Sequence, residues 1–251
     1  LENTMAKTPK NVYAFLKQLI ASYKPKAKEE TREIEKFARK IEGNDFKLQP
    51  YDRFYYSAKM KKAKYNFSED DVKPYFNIDS VLIKGVFYAA QRAYGLTFKR
   101  AWDVPTYHKD MRVYEVIDKD GKPLALWYCD YFRRPTKRGG AWMSSFAKQS
   151  KYRKQQPIIY NVCNYAKAPE GQPTLLTWDE VTTMFHEFGH ALHGILSDCE
   201  YNSLSGTAVA RDFVEMPSQF NESFASIPEI FNHYARHTET GAPMPEELKE
   251  K

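Results

Sequence analysis

"TMFHEFGHALHG", residues 183–194, decides how this chain reads. Three of the chain's six histidines fall within eight residues of it. In an α-helix, residues four apart stand one above the other on the same face. His186 and His190 can therefore both offer an imidazole nitrogen to one ion, at about 2.0–2.1 Å if the ion is zinc. Glu187 is rotated by about 100° from His186 and is poorly placed as a third ligand from the same turn. It is well placed to hold and deprotonate a water beside the ion, whose pKa zinc would lower to about 7. Given six histidines and 32 acidic residues among 251, chance would supply His-acidic-x-x-His somewhere in the chain only about 2% of the time.

The context is the helix that such a pair needs. Thr177 and Glu180 in "TWDE" form a capping-box pattern. Val181, Met184, Phe185, Phe188, Leu192 and Ile195 then recur at helical spacing to about Leu196. A catalytic zinc takes one more protein ligand and keeps one position open. The metzincin pattern would place Gly at position 193 and His at 196; His193 and Leu196 stand there, which excludes it. Three downstream carboxylates remain: Glu200, Glu215 and Glu222. Glu200 follows too soon after the helix end for the chain to double back. Glu215 lies early in the next helix, expected from near Asp212, and has room to return antiparallel after a loop containing Gly206. Glu222, in "NESFA", is two turns further along the same face. It reads as a carboxylate that accepts a ligand histidine's N–H, or else as a surface acid. His193 shares the stripe but lies one turn too far to join the pair, and reads as a supporting or packing residue. His108, His233 and His237 stand in polar surroundings without evident partners and read as surface residues.

The bulk numbers narrow the class. A chain of 251 residues with 42% hydrophobic and 28% charged residues is globular and holds a sizeable core. Aromatic residues make up 15%, which suits either a groove lined by rings or simply a ring-rich core. The net charge of +6 comes from lysines mixed with glutamates, as in "KPKAKEETREIEKFARK" (24–40). That mixture is the solvated face of a helix, not a nucleic-acid stripe. Cys129, Cys163 and Cys199 are odd in number and widely spaced, which indicates neither a disulfide framework nor a thiolate metal site and fits a reducing compartment. No apolar run approaches a membrane span, and "LENTMAKTPK" lacks the apolar core of a signal peptide.

Along the chain, helices are expected over 8–42, about 51–65 and about 79–95, the last closed by Gly95. "MRVYEVID" and "PLALWYCDYF" read as a hairpin around Asp120-Gly121. "RPTKRGGAWMSS" (134–145) reads as a loop, and "PIIYNVCNY" (157–165) as a strand. The expected fold is mainly α with a small β-sheet. It forms a single incomplete catalytic domain: helical over 1–100, a small β region over 111–165, and metal-binding helices over 177–251.

"FHEFGHALHGIL", "LSGT" and "RDFVEMPSQFNE" together resemble the thimet oligopeptidase/peptidyl-dipeptidase family of zinc metallopeptidases. The similarity extends upstream through "MAKTPKNVYAFL", "KPYFNIDSVLIKGVFYAAQRAYGLTF", "RGGAWMSSF" and "PIIYNVCNY", so it covers essentially the whole chain. It implies one zinc on His186, His190 and Glu215, with Glu187 as general base. It implies a zincin-type helical fold, two lobes around a narrow channel, with a small sheet beside the metal. It also implies that Gly139, Gly140, Ala141 and Trp142 form an edge that pairs with substrate backbone; an ordinary glycine loop is the alternative. Substrates would be short unstructured peptides, cleaved two residues from the C-terminus or internally. The family's oxyanion-stabilising Tyr and His side chains would lie beyond Lys251, and its N-terminal helical region is not matched. The chain is therefore expected to be a fragment, and on its own nearly inactive or a zinc-stabilised peptide-binding module. A cytoplasmic monomer without nucleic-acid or membrane partners is the expected setting.

Overall fold

The computed structural model describes residues 4–66 and 68–250. In chain order the helices are α1 (Pro9–Glu42), α2 (Arg53–Tyr65), α3 (Glu69–Val72), α4 (Ile78–Ser80) and, after a π-helical stretch Val81–Phe87, α5 (Tyr88–Tyr94). Five strands follow: β1 (Thr97–Arg100), β2 (Arg112–Ile117), β3 (Pro123–Phe132), β4 (Trp142–Ala147) and β5 (Ile158–Tyr165). The chain then returns to helix in α6 (Trp178–Ile195), α7 (Met216–Glu222), α8 (Pro228–Tyr234) and α9 (Glu246–Lys249). About half of the residues are helical, beside one small mixed sheet.

Two compact units result, one holding the described residues through Asp71 with α9, the other Val72–Pro245. In the first, Ile34 and Ala38 of α1 bury against Tyr56 of α2, with Phe46, Leu48 and Met60 packed around them. The Tyr56 hydroxyl donates to Glu42 at 3.0 Å. Thr8 caps α1 by accepting the Asn11 N–H, and Gly43 ends it.

The second unit carries the sheet, in the order β1-β2-β3-β5-β4. β3 and β5 run parallel, and the other neighbours are antiparallel. The β2–β3 hairpin turns at Asp120-Gly121 as expected, Gly121 supplying a φ of 77°. Gly95 closes α5 at φ 74°, a left-handed cap that a side chain would strain. One sheet face receives α6: Phe188 packs on Trp127, ring centroids 4.8 Å apart, and Trp127 in turn neighbours Phe98 and Tyr114. Removing a ring such as Phe188 from this core costs about 3–5 kcal/mol.

Two expectations need correction, and one strand went unread. The stretch read as a loop over 134–145 contains the start of β4, an edge strand paired, among the described residues, only with β5. β1 had no strong sequence signal, being four residues with alternating partial burial. The helix expected from Asp212 begins at Met216, with Pro217 in its first positions. Started at 212, it would put Pro217 inside the ladder, where the missing N–H and the ring clash break the helix.

A buried ion cluster fixes the turn into β4. Asp130 accepts two bonds from Arg134, at 2.7 and 2.8 Å, one from Lys137 at 3.1 Å and one from the Tyr107 hydroxyl at 2.9 Å. Lys137 also donates to the carbonyls of Asp130, Phe132 and Cys163. Burial opposes the Asp130 charge, yet Arg134, Lys137 and Tyr107 together hold its carboxyl below the usual range. Among the described residues no helix is long and apolar enough to cross a membrane.

Candidate metal centre

The metal-site helix is built from its first turn. Thr177 Oγ1 accepts the Glu180 N–H, and Glu180 Oε2 accepts the Thr177 N–H at 2.9 Å, a complete capping box. The Tyr165 hydroxyl of β5 donates to the Glu180 carbonyl at 3.0 Å, tying the same turn to the sheet. One turn separates His186 from His190, whose ring centroids lie 4.8 Å apart.

Glu215 comes to them from the residue that precedes α7. Its Oε2 lies 3.2 Å from His186 Nε2 and 3.0 Å from His190 Nε2. One ligand atom from each of the three residues falls within 4.8 Å of the others. Two features hold this convergence. Gly189 lets α7 cross α6 closely: a Cβ there would meet Ser218 Cα at 2.7 Å and the Pro217 carbonyl at 2.8 Å. The Ser218 hydroxyl, fully buried, lies 2.9 Å from Glu215 Oε2.

Glu222, at the far end of α7, places Oε1 2.6 Å from His186 Nδ1. A proton on that Nδ1 leaves Nε2 with its lone pair toward Glu215. His193 lies elsewhere, on the wall of a cavity of about 660 Å³ with Leu192, Leu196 and Phe220. Its Nδ1 is buried and meets no hydrogen-bond partner among the described residues. His233 and His237, expected without partners, have them: His233 Nδ1 meets the Lys84 carbonyl and the ring stacks on Tyr88, while His237 packs edge-on against Tyr75. His108 stands beside Asp110.

The electrostatics favour a cation. Burial lowers the pKa of His190, only partly offset by Glu215, so the ring is neutral at pH 7 and offers a lone pair. Burial works to raise Glu215, but the Ser218 hydroxyl and the two histidines hold its carboxyl below the ordinary value. Glu187 is 5% exposed, and its Oε2 meets no partner among the described residues. Burial pushes its carboxyl up to about 7; His186 opposes that shift and Glu215 adds to it.

A cavity of about 510 Å³ opens beside His186 and Glu187, walled by Gly140, Ala141, Asn164, Tyr165, Thr183 and Glu222. Asn164 Nδ2 donates to the carbonyls of Gly140 and Arg138, at 2.7 and 2.9 Å, which fixes this wall. Gly140 and Ala141 thus share this cavity with His186 and Glu187. Trp142 begins β4 under the Arg138 guanidinium and lines a different cavity with Phe146 and Tyr160. Gly139 is exposed and lines neither. Sequence reasoning missed Ser218, Asn161 and Asn221. A period-2 reading of "PIIYNVCNY" would have flagged Asn161, which shares its strand face with apolar Ile159 and Cys163.

Two imidazoles and a carboxylate converging beside a buried glutamate could hold a metal ion. The sequence profile of Peptidase family M3 matches residues 1–251, and the chain belongs to that family. It is 45% identical over 251 residues to dipeptidyl carboxypeptidase of Escherichia coli (strain K12), covering 100% of this chain and 37% of that protein. Oligopeptidase A of the same organism is 38% identical over 255 residues, again 100% of this chain and 37% of the relative. Mitochondrial intermediate peptidase of Arabidopsis thaliana is 36% identical over 256 residues, 99% of this chain and 36% of the relative. The chain therefore spans little more than a third of the length of these relatives.

Proposed function

We propose that this chain is the metal-binding part of a zinc metallopeptidase that hydrolyses short unstructured peptides and releases C-terminal dipeptides. His186, His190 and Glu215 hold the ion, and the observation that carries the reading is the convergence of their Nε2, Nε2 and Oε2 atoms. The donor set fits zinc, which takes two imidazole nitrogens and one carboxylate at catalytic sites. Bound there, zinc would supply a Lewis acid and acidify a water to a pKa of about 7. Glu187 takes the proton of the attacking water and passes it to the amine that leaves the scissile bond. A buried carboxylate whose pKa stands near neutrality suits both halves of that transfer. Glu222 keeps the His186 ring in the tautomer that presents Nε2.

The unpaired edge of β4, continued by Gly139–Ala141, suits an extended peptide, which adds to such an edge by backbone hydrogen bonds. Three free cysteines, two of them buried, support a reducing and cytoplasmic setting. Internal cleavage is the second reading, and the similarity to oligopeptidase A favours it. The test is zinc bound per chain, together with hydrolysis of a quenched fluorescent peptide by the complete enzyme, with the peptide's C-terminus free or amidated. One zinc, and turnover lost on amidation, is the expected result. Turnover of the amidated peptide assigns internal cleavage, one zinc without turnover assigns a peptide-binding module, and no zinc refutes the reading.

A further inference from the structure

Asn161 and Asn221 are buried amides with no part in the chemistry just described. Asn161, 1% exposed, projects from β5 toward α6. Its Nδ2 donates to the Glu187 carbonyl at 2.8 Å, and its Oδ1 accepts from Trp127 Nε1 at 2.7 Å. Asn221, 4% exposed, projects from α7 and donates its Nδ2 to the Phe185 carbonyl at 2.5 Å. The two carbonyls bracket His186 and Glu187.

Both carbonyls lie inside α6, where each already accepts from the N–H four residues on. Neither amide is rescuing an orphaned backbone group. Burying an amide costs free energy that its hydrogen bonds roughly offset, so each amide adds little net stability, although removing Asn161 alone would leave the buried Trp127 N–H unpaired. Stability therefore does not account for them. Apolar contacts between α6 and its neighbours are non-directional and leave the helix some freedom to turn and slide. Two directional bonds, one from the sheet and one from α7, remove that freedom. Asn221 lies on the helix that joins Glu215 to Glu222, so its bond also fixes both carboxylates relative to the histidines.

We propose that Asn161 and Asn221 are positioning residues that clamp the His186–Glu187 turn between β5 and α7, setting the metal geometry and the reach of Glu187; this rests on the metal reading above. The two sites use the same device from opposite sides: an amide N–H aimed at a helix carbonyl next to a functional side chain. Outer partners of metal ligands typically change affinity by about 10–100-fold when lost.

The experiment uses the 251-residue chain, with Asn161 and Asn221 each changed to Leu, which keeps the branched heavy-atom skeleton, and to Asp, which keeps size but has no amide N–H. Three quantities are read: zinc affinity by chelator competition, the visible spectrum of the cobalt(II)-loaded chain, and the melting of the metal-free chain. Asn221→Leu should melt close to wild type and Asn161→Leu lower, because the buried Trp127 N–H loses its acceptor, while all four variants bind zinc about 10–100-fold more weakly and shift the cobalt bands. If the leucine variants do not fold, Asn161→Ala and Asn221→Ala are read in the same way. Wild-type metal uptake with unchanged affinity and spectrum in the variants overturns the clamp alone. So does a loss of affinity that only tracks a loss of melting temperature. A wild-type chain that takes up no metal overturns the functional reading and the clamp together.

Discussion

Gly189→Ala isolates the contact on which the metal geometry depends. Inside a helix, alanine is favoured over glycine by about 1 kcal/mol, so the change would stabilise α6 if space allowed it. Space does not allow it: the new Cβ would stand 2.7 Å from Ser218 Cα, 2.8 Å from Asn221 Cβ and 2.8 Å from the Pro217 carbonyl. Two of these three are backbone atoms, which cannot swing aside as a flexible side-chain end does. Opening the closest approach to an ordinary 3.4 Å contact requires about 0.7 Å of separation between α6 and α7. Overpacking of this kind costs about 1–3 kcal/mol, which equals or exceeds the propensity gain. Glu215 leads directly into α7 and moves with it, whereas ligand distances tolerate only about 0.2 Å. Zinc affinity is therefore expected to fall at least tenfold, with metal-free stability lowered by up to about 2 kcal/mol. Chelator competition measures the first and calorimetry of the metal-free chain the second. A Gly189→Ala chain that melts higher than wild type and binds zinc equally well would refute the argument from close crossing.

Glu222→Ala removes the acceptor of His186 Nδ1 and should weaken zinc binding by about 10–100-fold without unfolding the chain; equilibrium competition reads it, and unchanged affinity contradicts the role. Asp130→Ala strands the cations of Arg134 and Lys137 in a buried turn, and should cost about 3–5 kcal/mol in urea unfolding; a loss below about 1 kcal/mol would mean that water satisfies them. Glu187 sets a pH dependence in the metal-free chain. Its folded pKa of about 7 exceeds the ordinary 4.5, so the folded state binds more protons between those values. Its contribution is fully present below pH 4.5 and is lost as pH rises through 7. Glu187→Gln removes that slope: metal-free, it should exceed wild type at pH 8 by on the order of 3 kcal/mol and match it at pH 4. In the complete enzyme the same change should retain zinc and abolish peptide hydrolysis.

The metal helix was legible because its signals agree: a capping box, an amphipathic stripe, and His186, Glu187 and His190 at the spacing that one helical face imposes. The approach of Glu215 and Glu222 to the histidines was legible from spacing, since a helix returning antiparallel offers acids two turns apart. β4 was not legible, because Gly139, Gly140 and two serines read as a loop. What makes the stretch a strand is non-local, namely pairing with β5 and the ion cluster that anchors the preceding turn. The start of α7 was misplaced because the polar turn before it resembles a helix start, while Pro217 sets the true boundary. Period-2 alternation could flag Asn161 as buried, but its role and that of Asn221 were invisible for a related reason. A buried amide shows its purpose only when the carbonyl it meets is known, and that carbonyl belongs to a distant part of the chain.

The central claim is that His186, His190 and Glu215 share one divalent ion, and a crystal of the zinc-loaded chain measured at the zinc absorption edge tests it most directly. The account predicts a single anomalous peak at about 2.0–2.2 Å from both histidine Nε2 atoms and a Glu215 oxygen. A peak elsewhere, or no peak with these three side chains turned apart, would contradict it.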